Sequence, residues 1–91
     1  MIENFAEACH YVSSRKDLQT DDDEKLMIYA LFKIATIGKP LEKNNSMFNL
    51  TEQLKYSAWT QFYENYKDKE QCKKLYVDLI NKLIKKYKLD Y

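Results

Sequence analysis

The sequence predicts an all-α domain, a small four-helix bundle, and three observations carry that prediction. The 91 residues include one glycine and one proline, the two residues that most often interrupt helices. Apolar residues recur every three to four positions in four separate segments. A chain this short, with its two cysteines far apart, also buries a modest fraction of its surface and needs well-matched helices rather than a long-range sheet. The 45% apolar share is enough for one packed core, so residues 1–91 are expected to form a single domain.

Each helix has its own local reasons. Phe5, Ala8, Cys9 and Val12 form one stripe at helical spacing, which predicts a first helix over residues 2–14. His10 falls off that stripe and is expected to be exposed. The run Thr20-Asp21-Asp22-Asp23-Glu24 offers a capping oxygen and several carboxylates to the positive end of a helix dipole, so a second helix is expected over residues 22–37. Gly38 then supplies a left-handed cap and Pro40 blocks continuation. Leu26, Tyr29, Ala30 and Lys33 share one face of this helix while Met27, Leu31 and Ile34 share another, so it has to touch something on two sides. Asn44, Asn45 and Ser46 favour turns in the following loop, with Met47, Phe48 and Leu50 as apolar anchors. The third helix, over residues 51–63, carries a Leu54, Ala58, Phe62 stripe, with Lys55 and Trp59 in a parallel row. Asp68 with Gln71 three residues on caps a fourth helix, in which Cys72, Leu75, Tyr76, Leu79, Ile80, Leu83 and Tyr87 follow the 3.6-residue period closely.

Composition excludes several classes of function. A net charge of +1 gives no global field for nucleic acid or an anionic membrane, so electrostatic recognition has to be local. No apolar run approaches the roughly 20 residues that span a bilayer. Cys9 and Cys72 lack a C-x-x-C partner or a histidine cluster, which argues for two core thiols in a reducing cytoplasm and for no metal site. Catalysis is poorly supplied: His10 is the only histidine, and no phosphate loop, nucleophile elbow or H-E-x-x-H pattern occurs. The chain is expected not to be an enzyme and to need no cofactor.

One constellation stands apart. On the second helix Tyr29, Phe32 and Lys33 lie three and four residues apart, placing two rings beside one ammonium group, and Lys55 and Trp59 repeat a cation-and-ring pairing on the third. A phosphate beside a purine suits that chemistry. Tyr29 and Tyr76 also lie on apolar stripes and by that pattern alone read as core residues more readily than as ligand contacts, as does Trp59. Lys33 does not: a lysine inside the least polar helix is unusual as a mere solvated charge.

These residues resemble the acyl-CoA-binding protein family over nearly the whole chain. Tyr29, Phe32, Lys33, Ala35, Thr36, Ile37 and Gly38 stand in the places of the family's Tyr, aromatic, Lys-Gln-Ala-Thr-Val-Gly pattern, broken seriously only at Ile34. Lys55-Tyr56-Ser57-Ala58-Trp59 matches a second block, and Tyr76-Val77 a pair in the fourth helix. The resemblance implies an up-down-down-up bundle in which Tyr29, Phe32, Lys33, Lys55 and Tyr76 surround the adenosine 3′-phosphate and adenine of coenzyme A, while Lys25 and Leu26 line the acyl-chain groove. Phe32 replaces a tyrosine, so stacking survives and a hydroxyl contact does not. Ser13, Thr51 and Asn44-Asn45-Ser46 replace residues that in the family supply phosphate or loop contacts, which implies weaker binding or a shifted chain-length preference.

The implied function is non-covalent binding, buffering and transport of long-chain acyl-CoA by a cytoplasmic monomer, with neither nucleic acid nor stable membrane insertion involved. Burying about fourteen methylenes of a sixteen-carbon chain at roughly 0.8 kcal/mol each would supply on the order of 11 kcal/mol before the costs of association. The alternative is a helical protein-interaction module in which the apolar second helix docks a partner helix, with no lipid ligand.

Overall fold

The computed structural model describes residues 1–15, 18, 20–41 and 49–90, which form four helices. The turn residues Asn44, Asn45 and Ser46 and the anchors Met47 and Phe48 lie outside that range. Helix α1 covers Phe5–Ser14, α2 Asp22–Thr36, α3 Leu50–Asn65 and α4 Lys69–Tyr87.

Each helix starts where a short side chain satisfies the first free N–H groups. The Asn4 side chain accepts from the Glu7 N–H, Asn49 from Glu52, and Asp68 from Glu70 and Gln71. Asp21 and Glu24 form a reciprocal capping box at the start of α2. The first helix therefore begins at Phe5, not at residue 2. Ile2 is instead held in the core at 2% exposure, its backbone N–H donating to Asn81 Oδ1 (3.0 Å) and its carbonyl accepting from Asn81 Nδ2 (2.9 Å). Helix α2 ends as expected, with Gly38 at φ +95° and the Ile37 and Gly38 N–H groups both donating to the Lys33 carbonyl. Helix α3 extends beyond the expected 51–63 at both ends.

Contacts along the helices fix their directions. Phe5 meets Tyr76, and farther along α1 the Tyr11 hydroxyl donates to the Asp90 carbonyl, so α1 and α4 run parallel. Glu24 meets Lys86 and Tyr87, Phe32 meets Tyr76, and a Cβ on Gly38 would come within 3.0 Å of Lys69 Cε, so α2 runs antiparallel to α4. Tyr29 lies beside Lys55 and Lys33 beside Trp59, a constant offset of 26 residues, and Lys25 and Thr51, again 26 apart, line one groove, so α2 and α3 run parallel. The bundle is up-down-down-up.

Helix α2 is central, packing on both α3 and α4, which accounts for apolar character around more than half its circumference. Leu31, Ile34 and Ala35 from α2 meet Trp59 from α3, Cys72, Tyr76, Leu79, Ile80 and Leu83 from α4, and Ala8 from α1. Three expectations of burial need correction: Leu50, expected to anchor the loop, is 71% exposed at the first position of α3. Cys72 is buried but Cys9 is only half-buried, packed at the margin of the core. Leu54, expected on the inner stripe of α3, is 49% exposed, because α3 turns the Trp59 row inward instead.

Candidate functional site

The constant offset between α2 and α3 sets cation against ring on successive rungs. Lys33 Nζ lies 5.5 Å from the Tyr29 ring centroid and 5.7 Å from that of Trp59. Lys55 Nζ reaches the same Tyr29 ring from α3, also at 5.5 Å. Both ammonium groups therefore converge on one aromatic ring, and the two nitrogens are separated by no more than twice that distance. Each contact falls within the range at which a ring quadrupole attracts a cation.

The supports of these side chains are themselves fixed. Trp59 is 2% exposed, and its indole N–H donates to the Gly38 carbonyl at 2.8 Å, tying α3 to the end of α2. The Tyr56 hydroxyl donates to the Leu41 carbonyl, holding the start of the loop against α3. Among the described residues Lys33 has no carboxylate partner, whereas Lys55 pairs with Glu52 one turn earlier at 3.8 Å. A half-buried ammonium facing two rings and no counter-charge is a place where an anion gains from both Coulomb attraction and hydrogen bonding. Burial pushes the Tyr29 phenol up, and the Glu52 carboxylate pushes it further, so this hydroxyl stays protonated and available as a donor.

Next to the cations, the α2–α3 seam opens into a groove of about 230 Å³ lined by Asp22, Lys25, Leu26, Thr51, Leu54 and Lys55. Leu26 and Leu54 are its apolar lining residues, and lysine stems such as those of Lys25 and Lys55 add apolar surface while their charged ends stay in water. Lys55 belongs to both regions, so the groove and the paired ammonium groups form one continuous surface. Clefts of about 330 and 600 Å³ lie between the N-terminal segment and α4, and neither is lined by Lys33 or Lys55.

Phe32 and Tyr76 occupy a second aromatic group on the α1–α4 side of α2. Phe5 packs edge-on to Tyr76 at 5.1 Å, and Phe32 lies 6.2 Å from both rings. Phe32 keeps 36% of its surface exposed, but Tyr76 keeps only 2%. Burial, reinforced by the neighbouring Cys9 thiol, pushes the Tyr76 phenol well above its ordinary value. The structure thus brings Tyr29, Lys33 and Lys55 together, sets Lys25 and Leu26 in the adjoining groove, and places Tyr76 behind Phe32.

Sequence reasoning missed four contributors: Asp22, Thr51 and Leu54 as groove lining, and Glu52 as the partner of Lys55. Glu52 is legible from its i,i+3 spacing to Lys55, whereas the groove lining emerges only when α2 pairs with α3. His10 is exposed as expected. Among the described residues no group of three His, Cys, Asp or Glu side chains is placed to hold a metal, and no helix is long and apolar enough to cross a membrane.

Comparison with known proteins gives the same direction. Over 87 residues the chain is 38% identical to acyl-CoA-binding protein homolog 1 of Caenorhabditis elegans, covering 96% of this chain and 98% of the relative. Over 67 residues it is 40% identical to the acyl-CoA-binding protein of Saccharomyces cerevisiae, covering 71% and 72%. The fold superposes on the crystal structure of Oryza sativa acyl-CoA-binding protein 2 with a TM-score of 0.79 at 26% identity, over 92% of this chain and 88% of that one. The acyl CoA binding protein family model matches residues 2–80, and the chain belongs to that family.

Proposed function

We propose that the chain binds long-chain acyl-CoA esters without transforming them, and that it buffers and carries them inside the cell as a monomeric single domain. The observation that carries this reading is the convergence of Lys33 and Lys55 on the Tyr29 ring beside an apolar groove. In this reading Lys33, Lys55 and the Tyr29 hydroxyl hold the 3′-phosphate of the nucleotide, and the exposed edge of Phe32 covers the adenine. Tyr76 supports Phe32 from the core and does not itself meet solvent. The acyl chain lies along Leu26 and Leu54 under the methylenes of Lys25. Affinity comes from the tail and specificity from the nucleotide, because the charged end of a free fatty acid has no ring and no phosphate to offer the paired cations.

Calorimetric titration tests the reading with three ligands. Palmitoyl-CoA is expected to bind tightly at one per chain, free coenzyme A weakly, and palmitate not measurably. A chain that ignores palmitoyl-CoA is not a carrier of it, and one that binds palmitate as tightly as palmitoyl-CoA does not use the cation pair.

A further inference from the structure

The two cations of the site are not equivalent. Among the described residues Lys33 has only rings for company, but Lys55 shares its charge with Glu52, three residues earlier on α3 and 3.8 Å away. The two side chains are 38% and 51% exposed, so the pair is open to exchange with an anion from solution. Glu52 also acts on Tyr29, whose phenol it helps to keep protonated. One carboxylate therefore pairs with a cation of the proposed site and, through its charge and second to burial, bears on the phenol beside it.

We propose that Glu52 is a built-in competitor for Lys55, displaced when a phosphate monoester binds, so that it weakens the site for that group and sets how strongly the 3′-phosphate counts. This rests on the assignment of Lys33 and Lys55 to the 3′-phosphate. In the unliganded protein Lys55 is shared between Glu52 and the Tyr29 ring. An incoming dianion takes Lys55 from Glu52 and leaves the carboxylate facing a like charge, a cost that a ligand without the phosphate never meets. The carboxylate has a local structural part as well, as an acidic side chain in the first turn of α3. That part is separable, because the Glu52 backbone N–H, which the Asn49 cap receives, survives any side-chain replacement.

The experiment compares wild type, Glu52→Gln and Glu52→Asp with palmitoyl-CoA and with its 3′-dephospho analogue, at about 50 and 200 mM salt. Glu52→Gln is expected to bind palmitoyl-CoA about two- to fivefold more tightly at the lower salt, the factor that releasing an exposed ion pair provides. The dephospho ligand should be unaffected, and Glu52→Asp, which keeps the charge, should stay closer to wild type than Glu52→Gln. Equal or weaker binding of palmitoyl-CoA by Glu52→Gln overturns the proposal, as does an equal gain for both ligands. Wild type that binds the two ligands equally well overturns the phosphate assignment and this proposal with it. Wild type that separates them while Glu52→Gln changes nothing overturns the role of Glu52 alone.

Discussion

Replacing Lys33 by methionine is the sharpest probe of the site, because it keeps most of the aliphatic stem between Tyr29 and Trp59 and removes only the charge. A charge-assisted hydrogen bond contributes about 1.5–3 kcal/mol when its partner is removed, which converts to a roughly ten- to 150-fold loss of palmitoyl-CoA affinity. The upper part of that range is expected here, since among the described residues no carboxylate already neutralises Lys33 and the lost charge is not one the protein was screening. Lys33→Met also gives up two cation–ring contacts in the unliganded protein, worth about 0.5–1 kcal/mol each. Against that loss the methionine gains apolar burial, so the melting temperature should fall by no more than roughly 10 °C and the variant should remain folded. Calorimetry at physiological salt with palmitoyl-CoA and its 3′-dephospho analogue gives the decisive pair of numbers. The reasoning is refuted if Lys33→Met binds palmitoyl-CoA within about threefold of wild type, or loses the same factor with the analogue that lacks the 3′-phosphate.

Two further predictions concern the frame that holds the site. The Glu24 carboxylate is held down to about 2, first by Lys86, then by the Tyr87 hydroxyl and the Asp21 N–H. The unfolded chain binds that proton more readily, so the contribution of Glu24 to stability is complete above about pH 4.5 and is lost as pH falls toward 2; urea melts across that window should show a steeper acid decline for wild type than for Glu24→Gln. Gly38→Ala forces a side chain into the left-handed region at φ +95° and sets its Cβ 3.0 Å from Lys69 Cε, which should cost about 1–2 kcal/mol and lower the melting temperature by roughly 5–15 °C.

Much of this molecule is legible in its sequence, for reasons that differ by element. Helices α2 and α4 are marked twice, by periodicity and by caps: the acidic start at Asp21–Glu24, the stop at Gly38 and the start at Asp68 are all local chemistry. The start of α1 was misplaced because Ile2 and Phe5 both look helical, whereas Ile2 is held by Asn81, a residue 79 positions away that no local pattern reveals. On α3 the sequence offers two neighbouring rows, Leu54 with Ala58 and Phe62 and the row that holds Trp59; Trp59 is buried as its core reading expects, and packing against α2 turns Leu54 outward. At the site, the residue types on α2 were informative because a lysine between aromatic rings is out of place on an ordinary helix. Glu52 went unremarked because an acidic residue in a first helical turn already has a sufficient explanation.

The fixed register of 26 residues between α2 and α3 separates two kinds of length change in this gene product. Adding residues between the two helices alters only the chain that closes the crossover, and closure entropy grows slowly with length. A single residue inserted within either helix rotates everything beyond it by about 100°, turning Lys33 away from Trp59 or Lys55 away from Tyr29. Insertions and deletions compatible with ligand capture should accordingly accumulate in the crossover and be purged from the two helices it joins.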